Sequence, residues 1–368
     1  MRMLETTLLT GPYDWDPALT PSSEFDARIA AVRMVLREHS LDGLFVGGTS
    51  PEHGALGYLT GFVPKLGPAL GFVPADGELR IAFSGGGAML ASAQRLTFVT
   101  DLRASRDPQQ DCAAWIAEAG GTHFGLWGDD AITSDLRRGI DRAVPAPIVA
   151  LDAQLDALRR RKSPCELPLL RRACDILGVT LRELRTATAR GLGVRSAALA
   201  AERAGYAQGA QDVRMLLSIR DGGMPQPLIG ATDPKADPLL ACIAVRFAGY
   251  WAEGLATITA KPTAAPAAAE AALAAALKEI RPGTAAAAAA ASQSLAGMKI
   301  HLFTASSPGN GIGLSREEAP FLSADSCGPL QEGDVCTVRT GAQAGGADGA
   351  IVSAMIRVGR NGAEVLWR

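Results

Sequence analysis

The stretch S-P-G-N-G-I-G-L-S-R-E-E-A-P, which runs from Ser307 to Pro320, decides the fold of this chain. Glycine occupies every second position from Gly309 to Gly313, and the acidic pair Glu317 and Glu318 stands shortly before the final proline. Glycine tolerates backbone conformations and close approaches that other residues do not. The spacing therefore predicts a loop of fixed geometry.

This stretch resembles the signature loop of the creatinase/aminopeptidase P/methionine aminopeptidase family, the "pita-bread" metallopeptidases. In that family the loop reads Gly-His-Gly-Ile-Gly, and His-Glu-x-Pro follows a few residues later. The first His binds a metal ion and the second contacts the substrate. Asn310 and Glu317 occupy these two positions here. The resemblance therefore implies the family's fold and leaves its chemistry open.

Two other segments carry the same resemblance. The sequence Y-L-T-G-F at 58–62 is similar to an element of creatinase-type N-terminal domains, and R-R-K-S-P-C-E-L at 160–167 resembles the start of the catalytic domain. The resemblance extends from about Phe25 to Leu366. It implies an α/β (α+β) protein with a creatinase-type N-terminal domain over residues 1–155 and a pita-bread domain over residues 156–368.

Apolar periodicity and turn residues predict the elements independently of the resemblance. Ser163 is a good N-cap, and Glu166 completes a capping box that opens a helix over 164–189. The alanine-rich segments 264–280 and 285–291 predict two more helices. The predicted strands include 44–46, 69–73, 79–83, 124–127, 148–151, 239–245, 335–338 and 350–358, and the other predicted helices are 25–39, 111–119, 134–143 and 196–210.

Composition excludes several function classes. The 368 residues are 48% hydrophobic and 20% charged with a formal charge of −2, which gives no electrostatic basis for binding nucleic acid or an anionic membrane. No signal peptide and no membrane-spanning segment are expected. The six cysteines are scattered without a CxxC pair, which indicates reduced thiols and a cytoplasmic protein.

The metal ligands of the family are the decisive positions. Its metallopeptidases hold two divalent ions with two Asp, one His and two Glu, and the resemblance places these five positions at Cys242, Glu253, Asn310, Arg339 and Ser353. Only Glu253 keeps a carboxylate, and the Arg339 guanidinium cannot be deprotonated to bind a cation. We therefore expect no metal, no other cofactor and no metal-dependent aminopeptidase activity.

Two functions then stay open, and the first is an enzyme. Creatinase hydrolyses a C–N bond without metal, so the resemblance implies a metal-free hydrolase of a small polar or carboxylate-bearing substrate. The creatinase general-base His is missing from 221–227. The catalytic candidates are Glu253, Glu317, Glu318 and Cys242, and the substrate-binding candidates are Asn310, Arg339, Ser353, Tyr250 and Arg246. Glu253 or Glu317 would act as a base if burial raised its pKa, and Cys242 as a nucleophile if its thiol were activated.

The second function is a catalytically inactive pseudo-peptidase that serves as a binding module or partner subunit. In that case Arg339 forms a salt bridge to Glu253 or Glu318, in the space of the two metals. Family members often dimerise, so we expect a homodimer, or a heteromer with an active relative. Whichever function holds, we expect Cys242 to be a buried structural cysteine, His301 to be a structural residue and the run Arg159 to Lys162 to be solvated.

Overall fold

A computed structural model of the chain describes residues 14–65, 67–106, 108–230, 232–261, 263–285, 297–305, 307–323, 328–345 and 348–368. The chain divides into two compact units, residues 1–159 and 160–368. Helices and strands alternate in the first unit, and two sheets with covering helices form the second. The α/β fold predicted from the sequence is confirmed. Among the described residues, no helix is long and apolar enough to cross a membrane.

The first unit is built on one mixed sheet of six strands in the order β4-β3-β2-β1-β5-β6. Its strands are β1 Gly43–Gly48, β2 Ala69–Pro74, β3 Arg80–Ser84, β4 Asp101–Ser105, β5 Phe124–Trp127 and β6 Val149–Ala150. Its helices are α1 Ser22–Glu38, α2 Gly54–Thr60, α3 Leu90–Gln94, α4 Pro108–Ala119, α5 Ser134–Ala143 and α6 Asp152–Arg160, the last ending at the boundary between the units. Aromatic side chains fill its core, with Phe72 and Trp115 stacked at a centroid distance of 5.8 Å.

The second unit contains two antiparallel sheets, with the orders β7-β8-β9 and β12-β11-β13-β14-β15. The strands are β7 Asp212–Leu217, β8 Leu239–Phe247, β9 Tyr250–Ile258, β10 Lys299–Ile300, β11 Gly309–Gly311, β12 Glu318–Phe321, β13 Val335–Gly345, β14 Asp348–Gly359 and β15 Gly362–Trp367. The described helices are α7 Glu166–Ala189, α8 Val194–Ala207, α9 Ala264–Glu279 and α10 Leu302–Ala305. The short strand β10 pairs with β13.

The predicted capping box opens α7. The Ser163 hydroxyl accepts a hydrogen bond from the Glu166 backbone N–H at 3.3 Å, and the Glu166 carboxylate accepts one from the Ser163 N–H at 2.8 Å. These two bonds satisfy backbone donors that a helix start otherwise leaves unpaired. The helix packs against β8 and β9 and so supports the strands that carry four of the candidate site residues, Cys242, Arg246, Tyr250 and Glu253.

The alanine-rich helix α9 covers one face of β13 and β14. Its buried alanines contact buried side chains of both strands, among them Val338, Ala342 and Ala354. Because side chains alternate along a strand, the residues between these, including Arg339 and Ser353, point to the opposite face. Of the predicted helix 285–291, residues 286–291 lie outside the described residues.

The prediction that Arg159 to Lys162 form a solvated run is wrong for all but Arg161, which is exposed. Arg159 and Lys162 are each only 7% exposed. Arg160 forms a two-bond salt bridge with the buried Asp334, at 2.8 and 2.7 Å. The Lys162 ammonium pairs with the carboxylate of Glu318. Arg160 and Lys162 thus form ion pairs with buried carboxylates, because acidic residues far along the chain neutralise their charges.

Candidate functional site

The signature stretch forms β11, a tight turn and β12. A side-chain carbon on Gly311 would lie 2.3 Å from the carbonyl oxygen of Ala319, and one on Gly313 would lie 2.7 Å from a Glu318 carboxylate oxygen. The contact at Gly311 is with backbone and leaves no room for a side chain, whereas the close atoms at Gly313 are the ends of the Glu318 and Lys162 side chains. Glu318 is buried, pairs with Lys162 and accepts a bond from the Ser315 N–H at 3.4 Å. Glu318 therefore anchors the loop.

The five positions that the resemblance assigns to metal ligands come together in the second unit. Cys242 and Glu253 lie on the same face of the β8–β9 hairpin, where Cys242 is opposite Leu255 and Glu253 is opposite Ala244. Arg339 and Ser353 are direct partners across β13 and β14. Asn310 is the direct partner of Thr337 across β11 and β13. The β8–β9 hairpin and the β13–β14 pair contribute to one polar cluster because β9 runs beside β14. The Ser353 hydroxyl on β14 accepts the N–H of Leu255 on β9 at 2.7 Å.

An ion pair occupies the centre of this cluster. The Arg339 guanidinium contacts one oxygen of Glu253, Oε1, through Nε at 2.7 Å and through Nη2 at 2.5 Å. The two side chains are 6% and 2% exposed. A third donor of Arg339, Nη1, reaches the Ser307 hydroxyl at 2.7 Å. The guanidinium is thus held by internal partners on two sides.

A second arginine flanks the same carboxylate. Arg316 Nη1 lies 3.8 Å from Glu253 Oε2, and its Nη2 donates to the exposed Glu317 at 2.8 Å. The Arg316 side chain keeps 38% of its surface exposed. Glu317, a predicted base, is therefore a partner of Arg316 at the surface rather than a buried carboxylate.

Asn310 stabilises the turn between β11 and β12 through hydrogen bonds of its amide nitrogen. Nδ2 donates to the carbonyl oxygens of Gly311 at 2.7 Å and Arg316 at 3.0 Å. These two acceptors fix the orientation of the amide, because exchanging its oxygen and nitrogen would place oxygen against oxygen. The buried oxygen Oδ1 has no hydrogen-bond partner within the described part of the chain.

Cys242 lies in apolar surroundings formed by Leu240, Leu255 and Ile351. Burial raises the pKa of the Cys242 thiol well above its usual range, and the nearby charge of Glu253 raises it further. Reactive cysteines have lowered pKa values, because the thiolate is the nucleophile. The environment therefore favours a structural thiol over a nucleophile.

The two remaining candidates stand away from the ion pair. Tyr250 is buried, but strand alternation places it on the opposite face of β9 from Glu253. Arg246 faces the same side as Glu253, one pair of residues further along the hairpin, and its guanidinium lies 5.1 Å from the centre of the Trp251 ring. Arg246 is also 3.9 Å from Asp212. Arg246 thus belongs to a neighbouring cluster with Trp251 and Asp212.

The residues present do not fit a pair of divalent ions. Mn, Fe, Co and Zn are held by several carboxylate or imidazole ligands or, for Zn, by thiolates, which burial disfavours at Cys242. Of the five positions only Glu253 offers such a group, and Arg339 already holds it. Among the residues that the structure describes, no three His, Cys, Asp or Glu side chains form a group able to hold a metal ion.

Sequence reasoning missed three residues of this site. Arg316, Ser307 and Thr337 contact or flank the residues above, yet none stands at a position with a known family role. For Arg316 the sequence did offer a signal, which is its position between the glycines and the acidic pair. A turn at that point brings the chain, and Arg316 with it, back towards the strands. Ser307 and Thr337 carry no comparable signal.

Comparisons with known proteins agree with this architecture. The model of metallopeptidase family M24 matches residues 168–360. Dipeptidase PepE from Mycobacterium ulcerans is 20% identical with a TM-score of 0.75, and the match covers 97% of each chain. The prolidase from Pyrococcus horikoshii OT3 is 15% identical with a TM-score of 0.74, and the match covers 93% of this chain and 98% of that one.

The N-terminal domain of FACT complex subunit SPT16 from chickpea also matches. It is 16% identical with a TM-score of 0.68, and the match covers 94% of this chain and 96% of that one. No curated protein matches the sequence. These likenesses confirm the pita-bread fold predicted from the signature loop. Because the family model matches more than half of the chain, this protein belongs to metallopeptidase family M24.

Proposed function

We propose that this protein is a metal-independent member of family M24 that acts as a binding module or partner subunit rather than as a peptidase. The observation that carries the proposal is the buried ion pair of Arg339 and Glu253. It occupies two of the five positions to which the resemblance assigns metal ligands. A divalent ion would have to displace a guanidinium that cannot lose its charge.

The remaining side chains support the same function. Ser353 accepts a backbone hydrogen bond, Asn310 holds the turn, and Glu318 pairs with Lys162. These contacts are internal and structural. They leave the polar centre intact and buried without assembling a nucleophile and base.

His301, the only histidine of the second unit, also has a structural environment. Its Nδ1 accepts the N–H of Phe303 at 3.2 Å, and Nε2 lies 3.4 Å from the carbonyl oxygen of Gly222. Burial lowers its pKa, which keeps the ring neutral. These contacts bind His301 to α10 and to the loop at Gly222.

The fold is compatible with a role in an assembly. One structure with this fold is the N-terminal domain of a FACT complex subunit, SPT16 from chickpea. We propose a homodimer or a heteromer with an active relative, and a small molecule as the ligand of the polar centre. The cytoplasmic location, together with the absence of nucleic-acid and membrane partners, stays a prediction.

Peptidase assays with added metal test this proposal. The purified protein, loaded with Mn²⁺, Co²⁺ or Zn²⁺, is incubated with Xaa-Pro dipeptides and with Met-Xaa peptides. We expect no hydrolysis above the metal-only background. Turnover that depends on the metal and disappears in Glu253→Gln would overturn the proposal, because it would show that the carboxylate is free to bind a cation.

A metal-free hydrolase acting on a C–N bond is the second candidate. One observation favours it: both short contacts of Arg339 are to Glu253 Oε1, whereas Arg316 lies 3.8 Å from Oε2. A carboxylate oxygen in that position is the most plausible general base of the cluster. Hydrolysis of small amides or guanidino acids in the presence of a chelator, and its loss in Glu253→Gln, would support this candidate.

A further inference from the structure

A cavity of about 470 Å³ lies at the base of the β8–β9 hairpin, where Leu239 and Ile258 are direct partners and line it. Because side chains alternate along a strand, Leu239 points to the opposite face of the hairpin from Cys242. Pockets that bind small molecules commonly have volumes of about 300–1,000 Å³. This space, which we call the hairpin cavity, is therefore large enough for a ligand and is separate from the ion pair of Arg339 and Glu253.

The wall of the hairpin cavity formed by α7 carries two positive charges. Arg185, Thr188 and Ala189 line the cavity from one face of the helix, at the spacing of three and four residues that brings side chains together. Lys235 stands beside the end of α7, where its Nζ is 3.9 Å from the place of a side-chain carbon on Gly191. Among the described residues, neither Arg185 nor Lys235 forms an ion pair. Both cations thus have N–H donors to offer a ligand.

The opposite wall, at the ends of β8 and β9, carries two negative charges. Asp221 Oδ1 accepts the backbone N–H of Asp237 at 2.8 Å. Asp237 Oδ1 accepts the Thr259 hydroxyl at 2.6 Å and the Ala260 N–H at 3.2 Å. These bonds fix both carboxylates in place, and all three are to Oδ1 atoms. Oδ2 of each carboxylate is the atom that a ligand donor would contact.

Apolar side chains line the space between the two charged walls, among them Leu192, Val194, Leu239 and Ile258. The two charges of each sign balance, so the cavity does not favour a ligand that carries only one sign of charge. The cations and the carboxylates also lie further apart than the 4.0 Å of an ion pair. A ligand with both charges therefore satisfies groups that do not reach one another.

We propose that the hairpin cavity binds a small zwitterion with an apolar side chain, the chemistry shared by apolar amino acids and their dipeptides. The ligand carboxylate accepts hydrogen bonds from Arg185 and Lys235, and its ammonium group donates to Asp221 and Asp237. Hydrogen bonds between charged groups are the strong ones, and they orient the ligand. The proposal goes beyond the proposed function, because it does not depend on whether Glu253 binds a metal.

Calorimetric titration of the whole protein with leucine and with glycyl-leucine, in the presence of a chelator, tests the proposal. The two zwitterions share a side chain and differ in the separation of their charges, so the comparison distinguishes an amino-acid site from a dipeptide site. Two analogues serve as controls: 4-methylpentanoate is leucine without the ammonium group, and 3-methylbutylammonium is leucine without the carboxylate. We expect saturable binding of at least one zwitterion, and binding of each analogue that is weaker by roughly tenfold or more.

Matched variants locate the binding to the hairpin cavity. Arg185→Met and Lys235→Met each remove a donor from an exposed residue and should weaken zwitterion binding roughly tenfold. Asp221→Asn keeps an oxygen to accept the Asp237 N–H but loses the charge, so it should weaken binding as well. Arg190→Met is the control, because Arg190 is an exposed cation at the end of the same helix and stands outside the cavity lining. Its affinity for the zwitterion should be unchanged.

Three results would overturn the proposal. They are no binding of either zwitterion, equal binding of the single-charge analogues, and unchanged zwitterion affinity in folded Arg185→Met and Lys235→Met. Glu253→Gln is titrated in parallel. Binding that is lost in Glu253→Gln but kept in Lys235→Met would place the zwitterion in the polar centre, which defeats this proposal and leaves the proposed function standing. Metal-dependent peptidase activity would defeat the proposed function alone.

Discussion

Replacing Arg339 with methionine should destabilise the protein by about 3–5 kcal/mol, because it leaves the Glu253 carboxylate buried without a partner. The structure supports a cost of this size. Glu253 is 2% exposed and receives two donors of Arg339. Charges about 4 Å apart at an effective dielectric constant of about 20 attract each other by about 4 kcal/mol. Removing the cation forfeits this attraction and retains the desolvated anion.

Urea denaturation and thermal unfolding measure the effect. In a unit of this size, 1 kcal/mol corresponds to a change of about 2–4 °C in melting temperature, so Arg339→Met should melt roughly 6–20 °C lower. The matched control is Arg357→Met. Arg357 lies on the adjacent strand β14 and pairs with Glu364 at 3.0 Å, but the two side chains are 27% and 49% exposed. That exposed pair should contribute at most about 1 kcal/mol.

The double variant Glu253→Met/Arg339→Met separates an unpaired charge from lost packing. Because replacing both members of a buried ion pair with apolar groups is often nearly neutral, the double variant should be more stable than Arg339→Met alone. Two results would refute the reasoning. One is a loss in Arg339→Met no larger than that in Arg357→Met, and the other is additive losses in the double variant.

Three further predictions concern groups around the site. Lys162→Met should destabilise the protein by about 3 kcal/mol or more, because Glu318 would stay buried and unpaired; the denaturation midpoint measures this. Burial lowers the pKa of His301 below 6.5, so as the pH falls through 6.5 the unfolded chain binds a proton that the folded chain does not, and stability falls. His301→Asn should flatten that loss between about pH 6.5 and 5, as urea midpoints across this range would reveal. Peptide mapping after native iodoacetamide treatment should find Cys165 alkylated and Cys242 unmodified, since Cys242 is buried and burial raises its pKa.

Much of the fold is predictable because local signals and packing agree. Ser163 and Glu166 predict the start of α7, and the contacts of both side chains confirm it. The apolar run 239–245 predicts β8, which pairs with β9 in a hairpin that extends from Leu239 to Ile258. Strands β4, β7 and β15 were not predicted, and the short strands β11 and β12 lie where a loop was predicted. In β7, charged residues at positions 212 and 214 interrupt the apolar pattern.

The candidate site is predictable in part. The pairing of Arg339 with Glu253 was one of two partners that the sequence allowed, and the structure selects it over Glu318. Glu318 pairs instead with Lys162, a residue 156 positions away in the chain. Sequence alone does not reveal such a partner, because nothing in the residues around Lys162 indicates which distant carboxylate it contacts. Asn310 Oδ1 and Thr337 Oγ1 are buried and have no hydrogen-bond partner among the described residues, and that is apparent only once the strand register is known.

The most direct test of the central claim is the metal content of the protein after dialysis. The purified protein is dialysed against Mn²⁺, Co²⁺ or Zn²⁺, then against metal-free buffer, and the metal per chain is measured by mass spectrometry. If Arg339 holds Glu253 as described, the protein should retain only background metal, and Glu253→Gln should retain the same amount. Stoichiometric metal that is lost in Glu253→Gln would contradict the account.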